Sequence, residues 1–139
     1  MKLITKVIIV ASIFLGTTAF AQDSAAVSKA QDAAKLWLAL TDTGEYSRSW
    51  EQAAGLLQAA VTKEKWEAAI QSVRSPLGAV KTRTIKSATF MRTLPGAPDG
   101  EYVVIQYNSK FENKANAIET VTPMREKDGS WKVSGYFIK

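Results

Sequence analysis

The chain has 139 residues, with 18 Lys and Arg against 13 Asp and Glu, a formal charge of +5, and neither histidine nor cysteine. Without imidazole or thiolate, disulfides, thiol catalysis and the usual zinc and haem ligand sets are excluded, so no cofactor and no metal is expected. Acids and bases are interspersed rather than gathered into a basic stripe with interleaved aromatics, and a nucleic-acid partner is not expected either.

The first residues, MKLITK, place Lys2 and Lys6 ahead of the apolar run Val7 to Phe20, which closes on Ala19-Phe20-Ala21. That order is the grammar of a secretory signal with an A-x-A site, and cleavage after Ala21 is expected. The run falls short of the ~20 apolar residues that a spanning helix needs. The expectation is therefore a protein of the periplasm or of the extracellular space, with residues 1–21 removed, a charge of +3 on the remainder and no stable membrane anchor. Residues 22–139 are expected to form one domain, long enough to bury a core without covalent staples.

Ser24 to Thr41 is rich in alanine, and Val27, Ala30, Ala34, Trp37 and Thr41 recur at helical spacing, which predicts an amphipathic helix. Asp42 and Thr43 supply turn chemistry, and Gly44 is placed to end the helix. In the next stretch, GEYSRSWEQAA, Tyr46 and Trp50 share a face with Ala53 or Ala54 while Arg48, Glu51 and Gln52 point away, which predicts a short second helix. Thr62 reads as the N-cap of a third helix, Lys63 to Val73, with an apolar stripe of Trp66, Ala69, Ile70 and Val73 ended by Ser75-Pro76.

From Val80 the composition turns β-branched and aromatic. Four strands are predicted: about 79–93, then 101–111 after the loop LPGAPDG, then about 117–126, and finally SWKVSGYFIK. In the second strand Val103, Ile105, Tyr107 and Phe111 alternate with Gln106, Asn108 and Lys110. Pro123 cannot donate to a ladder and belongs at an edge or a bulge. Lys127-Asp128-Gly129-Ser130 predicts a tight hairpin between the last two strands. Helices first and a meander afterwards predict an α+β fold, N-terminal helices packed on one face of a C-terminal four-stranded antiparallel sheet, with Trp37, Trp66 and the Tyr46/Trp50 pair facing the sheet.

Taken together, AKLWLALTDTGEYSRSW (34–50), RSPLG (74–78), LPGAPDGEYVV (94–104), ETV (119–121) and WKVSGYFI (131–138) resemble a bacterial family of exported proteins, domain of unknown function four-zero-one-nine. The resemblance implies a small exported protein and brings no catalytic residue or cofactor with it. The order of elements is also similar to the cystatin-like and nuclear-transport-factor-two-like cones, although those cones usually place a strand early among the helices. Such cones host enzymes, carriers and interaction modules alike.

No motif for catalysis stands out. Thr62-Lys63-Glu64-Lys65 has hydroxyl-to-lysine spacing but is better explained as a helix cap. Glu101 and Glu119 would be paired carboxylates if their strands brought them together, and otherwise are strand-face acids opposite Lys81, Arg83, Lys110 or Lys132. Arg92 near Asp99 reads as an ion pair across the turn. A crevice between helices and sheet is the place for a ligand, and Tyr46, Trp50 and Tyr107 are the candidate ligand-binding residues, their aromatic rings offering flat walls. The expectation is a non-catalytic binding module of the bacterial cell envelope, its partner an envelope protein, a polymer or a small apolar ligand, held in that crevice or by the Leu94 to Gly100 loop. A small hydrolase or isomerase using carboxylate and tyrosine groups in the same crevice is the alternative, and a homodimer paired through an open sheet edge is the structural one.

Overall fold

A computed structural model describes residues 17–139. Both lysines and most of the apolar run on which the export expectation rests lie outside the described residues. The first helix, α1, runs Thr17–Asp42, longer than the segment predicted, and continues through the expected cleavage point. Its buried residues Ala30, Ala34, Trp37, Leu38 and Thr41 repeat the predicted stripe, with Leu38 added. The helix stops as the glycine dictates. Gly44 has φ +77°, Glu45 N–H reaches back to Leu40 O at 2.8 Å and Gly44 N–H to Thr41 O at 3.3 Å, the paired bonds of a left-handed C-cap.

Three short helices follow: α2 (Tyr46–Glu51), α3 (Gly55–Ala60) and α4 (Lys63–Arg74). The sequence reading missed α3, whose N-cap Ala54 offers no side-chain acceptor. What holds it is tertiary: Ala54 N–H donates to Val133 O at 2.8 Å and Leu57 is buried. Thr62 caps α4 as expected, its hydroxyl accepting from Lys65 N–H at 3.3 Å. A 3₁₀ turn, Ser75–Leu77, leads into Gly78, where φ is +72° and a Cβ would lie 2.9 Å from Glu112 Oε2, so glycine is required there.

The four strands, β1 (Val80–Met91), β2 (Tyr102–Phe111), β3 (Lys114–Arg125) and β4 (Trp131–Ile138), pair antiparallel in the order β1-β2-β3-β4. The fold is the predicted α+β arrangement, helices on one face of a four-stranded meander. Between Thr17 and Leu77 the chain forms helical elements alone, so the early strand usual in the cones is not found in that span. Pro123 sits in an interior strand, tolerated because the β3–β4 register shifts between Thr122 and Pro123. At the last hairpin only Gly129 takes a positive φ, +88°, with Gly129 N–H to Glu126 O at 2.9 Å and Glu126 N–H to Ser130 O at 2.7 Å. The turn is thus a type I turn closed by a left-handed glycine, rather than two left-handed residues in a row.

α1 crosses the inner face of the sheet, and the core forms between Ala30, Ala34, Trp37 and Leu38 above and Val103, Ile105, Tyr107, Val121 and Val133 below, with Trp66 packed against it. Trp37 meets Tyr136 edge-on at 5.2 Å and Trp66 at 6.0 Å. Both indoles converge on Ser49. Trp37 Nε1 donates to Ser49 O at 2.8 Å and Trp66 Nε1 to Ser49 Oγ at 2.9 Å, and Ser49 is fully buried. The expectation that Tyr46 and Trp50 face the sheet is overturned. Both are half-buried in the helical layer, where α2 packs on α4, and Trp50 Nε1 donates to Val61 O at 2.9 Å. LPGAPDG folds back over Tyr102, whose hydroxyl donates to Pro98 O at 2.6 Å.

Candidate functional site

The register of the sheet carries the chemistry to one place. Ile85, Tyr107, Glu119 and Ile138 form a row across the four strands, and Arg83 pairs with Ser109 in the row beside it. Strand alternation then puts Arg83, Ser109 and Glu119 on the inner face, beneath the C-terminal ends of α1 and α4. Those ends supply Thr41, Asp42 and Arg74.

The result is a buried ionic network. Glu119 is fully buried and accepts from Arg83 Nε at 2.7 Å, Arg83 Nη2 at 3.2 Å, Ser109 Oγ at 2.5 Å and the Tyr136 hydroxyl. The other edge of the same guanidinium grips Asp42, Nη1 to Oδ2 at 2.8 Å and Nη2 to Oδ1 at 2.9 Å. Arg74 completes the set, donating to Asp42 Oδ1 at 2.9 Å and Thr41 Oγ1 at 2.9 Å while its guanidinium lies 5.0 Å from the centre of the Phe111 ring. Two carboxylates thus face two guanidiniums, the bidentate geometry in which arginine outperforms lysine. One group is left over: Arg74 Nε is buried without a partner among the described residues.

Burial pushes the Asp42 carboxyl up, but hydrogen bonds and charge from Arg83 and Arg74 outweigh it and hold the group below the ordinary aspartate range. Arg83 is desolvated, which disfavours its charge, yet its bonds to Asp42 and Glu119 fix it as a cation. The Tyr136 phenol is raised well above its usual value, first by burial and then by the charge of Glu119 and the hydrogen bond to it. All four carboxylate oxygens of the network are thus paired with donors.

Beside it the helix and the sheet part. A hollow of about 420 Å³ lies between α1 and the β1 side of the sheet, lined by Gln31, Asp32, Lys35, Leu38, Arg83, Ile85 and Tyr107. Tyr107 is raised by burial above all, with Arg83 acting to lower it and Glu119 to raise it. Of the three candidate binding residues named from the sequence, Tyr107 alone reaches this hollow. Tyr46 and Trp50 belong to the packing of α2 and are not brought to it. Glu101 and Glu119 do not meet: Glu119 pairs with Tyr107, whereas Glu101 stands at the far end of β2, 2.9 Å from Arg125 and 3.9 Å from Arg92. Arg92 therefore faces Glu101, not the Asp99 expected of it, and Glu119 is a buried clamp rather than a strand-face acid in water. Among the described residues, no cluster of three or more His, Cys, Asp or Glu could hold a metal, and no helix is long and apolar enough to cross a membrane.

The family can now be placed against this geometry, because its model, described as a protein of unknown function (DUF4019), matches residues 33–136. The chain belongs to that family. The DUF4019 span contains every member of the network from Thr41 to Tyr136, and all of the lining of the hollow except Gln31 and Asp32. No curated protein matches the chain.

Sequence reasoning passed over Asp42, read as turn chemistry, and Arg74, which it left between the third helix and the Ser75-Pro76 stop. The available signal was parity. Ser109 falls between Tyr107 and Phe111 on the buried face of β2, and its pairing partner Arg83 must share that face.

Proposed function

We propose that the chain is a non-catalytic, exported domain of the bacterial envelope that binds a small amphiphile in the crevice between α1 and β1–β2. The observation that carries this reading is the 420 Å³ hollow, a size that suits a small ligand. Leu38 and Ile85 give it apolar walls, Tyr107 supplies a hydroxyl inside, and Lys35 stands at the rim on the next turn of α1. An apolar chain with an anionic or hydrogen-bond-accepting head matches that lining. Against catalysis stands the engagement of the acids, since Asp42 and Glu119 are each held by arginine and neither is a free carboxylate in the crevice. The hollow of about 290 Å³ near the start of α1 is a poorer candidate, because Glu101, Arg92 and Arg125 within it already pair with one another.

Native mass spectrometry and competition against the fluorescent probe 1-anilinonaphthalene-8-sulfonate, both with dodecanoate, test the proposal. A one-to-one dodecanoate adduct is expected, with affinity falling at least about tenfold in Ile85→Glu, which puts a carboxylate at the mouth. Ile85 is about half exposed, so the change leaves the core alone. Absence of an adduct, or equal affinity in the variant, overturns the reading.

A further inference from the structure

The apolar stripe on α4 predicted a buried face, yet only part of it is covered. Ile70 is buried, whereas Ala69 is exposed and Val73 is 45% exposed. A groove of about 170 Å³ runs between α4 and the last residues of β4, lined by Trp66, Ala69, Ile70 and Val73 on one side and Tyr136, Phe137 and Ile138 on the other. On the same strand Phe137 is 53% exposed. Among the described residues, two apolar surfaces are therefore left open side by side.

The groove also meets an open sheet edge. β4 is the last strand in the order, and among the described residues one backbone group outside the ladder reaches its free side, Ala54 N–H on Val133 O. Lys139 and Ile118 exchange both backbone bonds at 3.0 Å, so alternation turns Phe137 toward β3 and leaves the backbone N–H and C=O of Tyr136 and Ile138 facing outward. We propose that the occupant of this edge is a second copy of the chain, its β4 lying antiparallel to the first about a two-fold axis through Phe137.

That register is self-complementary. Tyr136 of each copy would exchange both backbone bonds with Ile138 of the other, which makes four bonds and joins two four-stranded sheets into one of eight. Phe137 would stand opposite its own equivalent, and the α4 stripe of each copy would cover the end of the other's β4, so the surface missing from one copy is the surface bare on the other. Lys139 would face Gly135, so no like charges are set opposite each other. A flexible peptide suits the site less well. Only a three-residue stretch of edge is free, and a disordered segment must be ordered for those few bonds, whereas β4 is already extended.

A single introduced cysteine gives a direct test, because the chain has none of its own. Non-hydrogen-bonded antiparallel pairs place Cα atoms about 4.5 Å apart, within disulfide reach. Phe137→Cys is expected to oxidise to a covalent dimer at least about tenfold faster than Thr84→Cys, which sits exposed on β1 at the opposite edge. Sedimentation velocity of the unmodified chain should give a dimer, and Phe137→Glu, which sets two carboxylates across the axis, a folded monomer by circular dichroism. A monomer at ~100 μM for the unmodified chain overturns the proposal. So does equal cross-linking of the two cysteine variants, or a dimer undiminished by Phe137→Glu.

Discussion

Replacing Arg83 by methionine keeps an unbranched apolar stem and removes the cation that holds two acids. Glu119 is fully buried and Arg83 only 16% exposed, so solvent screens little of their interaction. Without Arg83, Glu119 keeps the hydroxyls of Ser109 and Tyr136 but loses its directly bonded cation, Arg74 reaching it only through the Tyr136 hydroxyl, while Asp42 retains Arg74. Stranding one partner of a buried pair costs about 3–5 kcal/mol. With an unfolding entropy of about 2.1 cal/mol/K per residue, a domain the size of residues 17–139 should then melt roughly 12–19 °C lower. Urea titration followed by circular dichroism gives the free energy, and an unchanged slope would show that the denatured state is not the source. The double variant Arg83→Met with Glu119→Gln removes the stranded charge and should recover about half the loss. Arg48→Met, which breaks the exposed Arg48–Glu45 pair, should leave the urea midpoint essentially where the parent has it. A loss under about 1 kcal/mol for Arg83→Met, or no recovery in the double variant, would refute the claim that the network is one electrostatic unit.

Two further outcomes follow from the same contacts. The Asp42 pKa is lower folded than unfolded, so its contribution is present above about pH 4 and is lost as pH falls through the folded value; the Tyr136 pKa is raised by folding, so its contribution is present below about pH 10 and lost as pH rises above it. Melting temperature against pH should therefore fall on both sides of a neutral plateau, and Tyr136→Phe should flatten the alkaline limb while costing about 1–3 kcal/mol at neutral pH; an unchanged alkaline limb counts against this assignment. Ser49→Ala removes the acceptor of the Trp66 indole and should cost about 1–3 kcal/mol by urea titration, a figure near zero meaning that the indole finds another partner or water.

The architecture was legible where a local rule and the tertiary environment agree. Alternation in Val103, Ile105 and Tyr107 fixed the inner face of β2, the alanine stripe with Trp37 fixed the face of α1, and Gly44, Thr62 and Gly129 marked their boundaries by backbone chemistry that few other residues supply. It was not legible in α3, a six-residue helix without a side-chain cap, too short to be stable by itself and held by a strand far away in sequence. The Tyr46/Trp50 face misled for a related reason. Periodicity says that two aromatics share a side of a helix, but not whether that side meets the sheet or another helix, and α2 lies on α4.

The network resisted reading because charge in a sequence argues for water, and water is the better guess for most arginines and glutamates. Arg83 and Glu119 defy it together: each could be buried only because the other is, a condition set by the register of β1, β2 and β3 and by the end of α1 arriving above them. The same condition bears on the crevice. A well-packed apolar group of equal volume in place of the ions would often stabilise a fold, so stability alone does not account for their presence. The Arg83 guanidinium is a spacer of fixed width, bound on one edge to α1 through Asp42 and on the other to the sheet through Glu119. It therefore keeps the end of α1 at a set height above β1, immediately beside the hollow that Ile85 and Tyr107 line. If the hollow is the binding site, an apolar replacement that let α1 settle would gain stability and lose the ligand, and the two acids are the means by which the helix is kept from closing it.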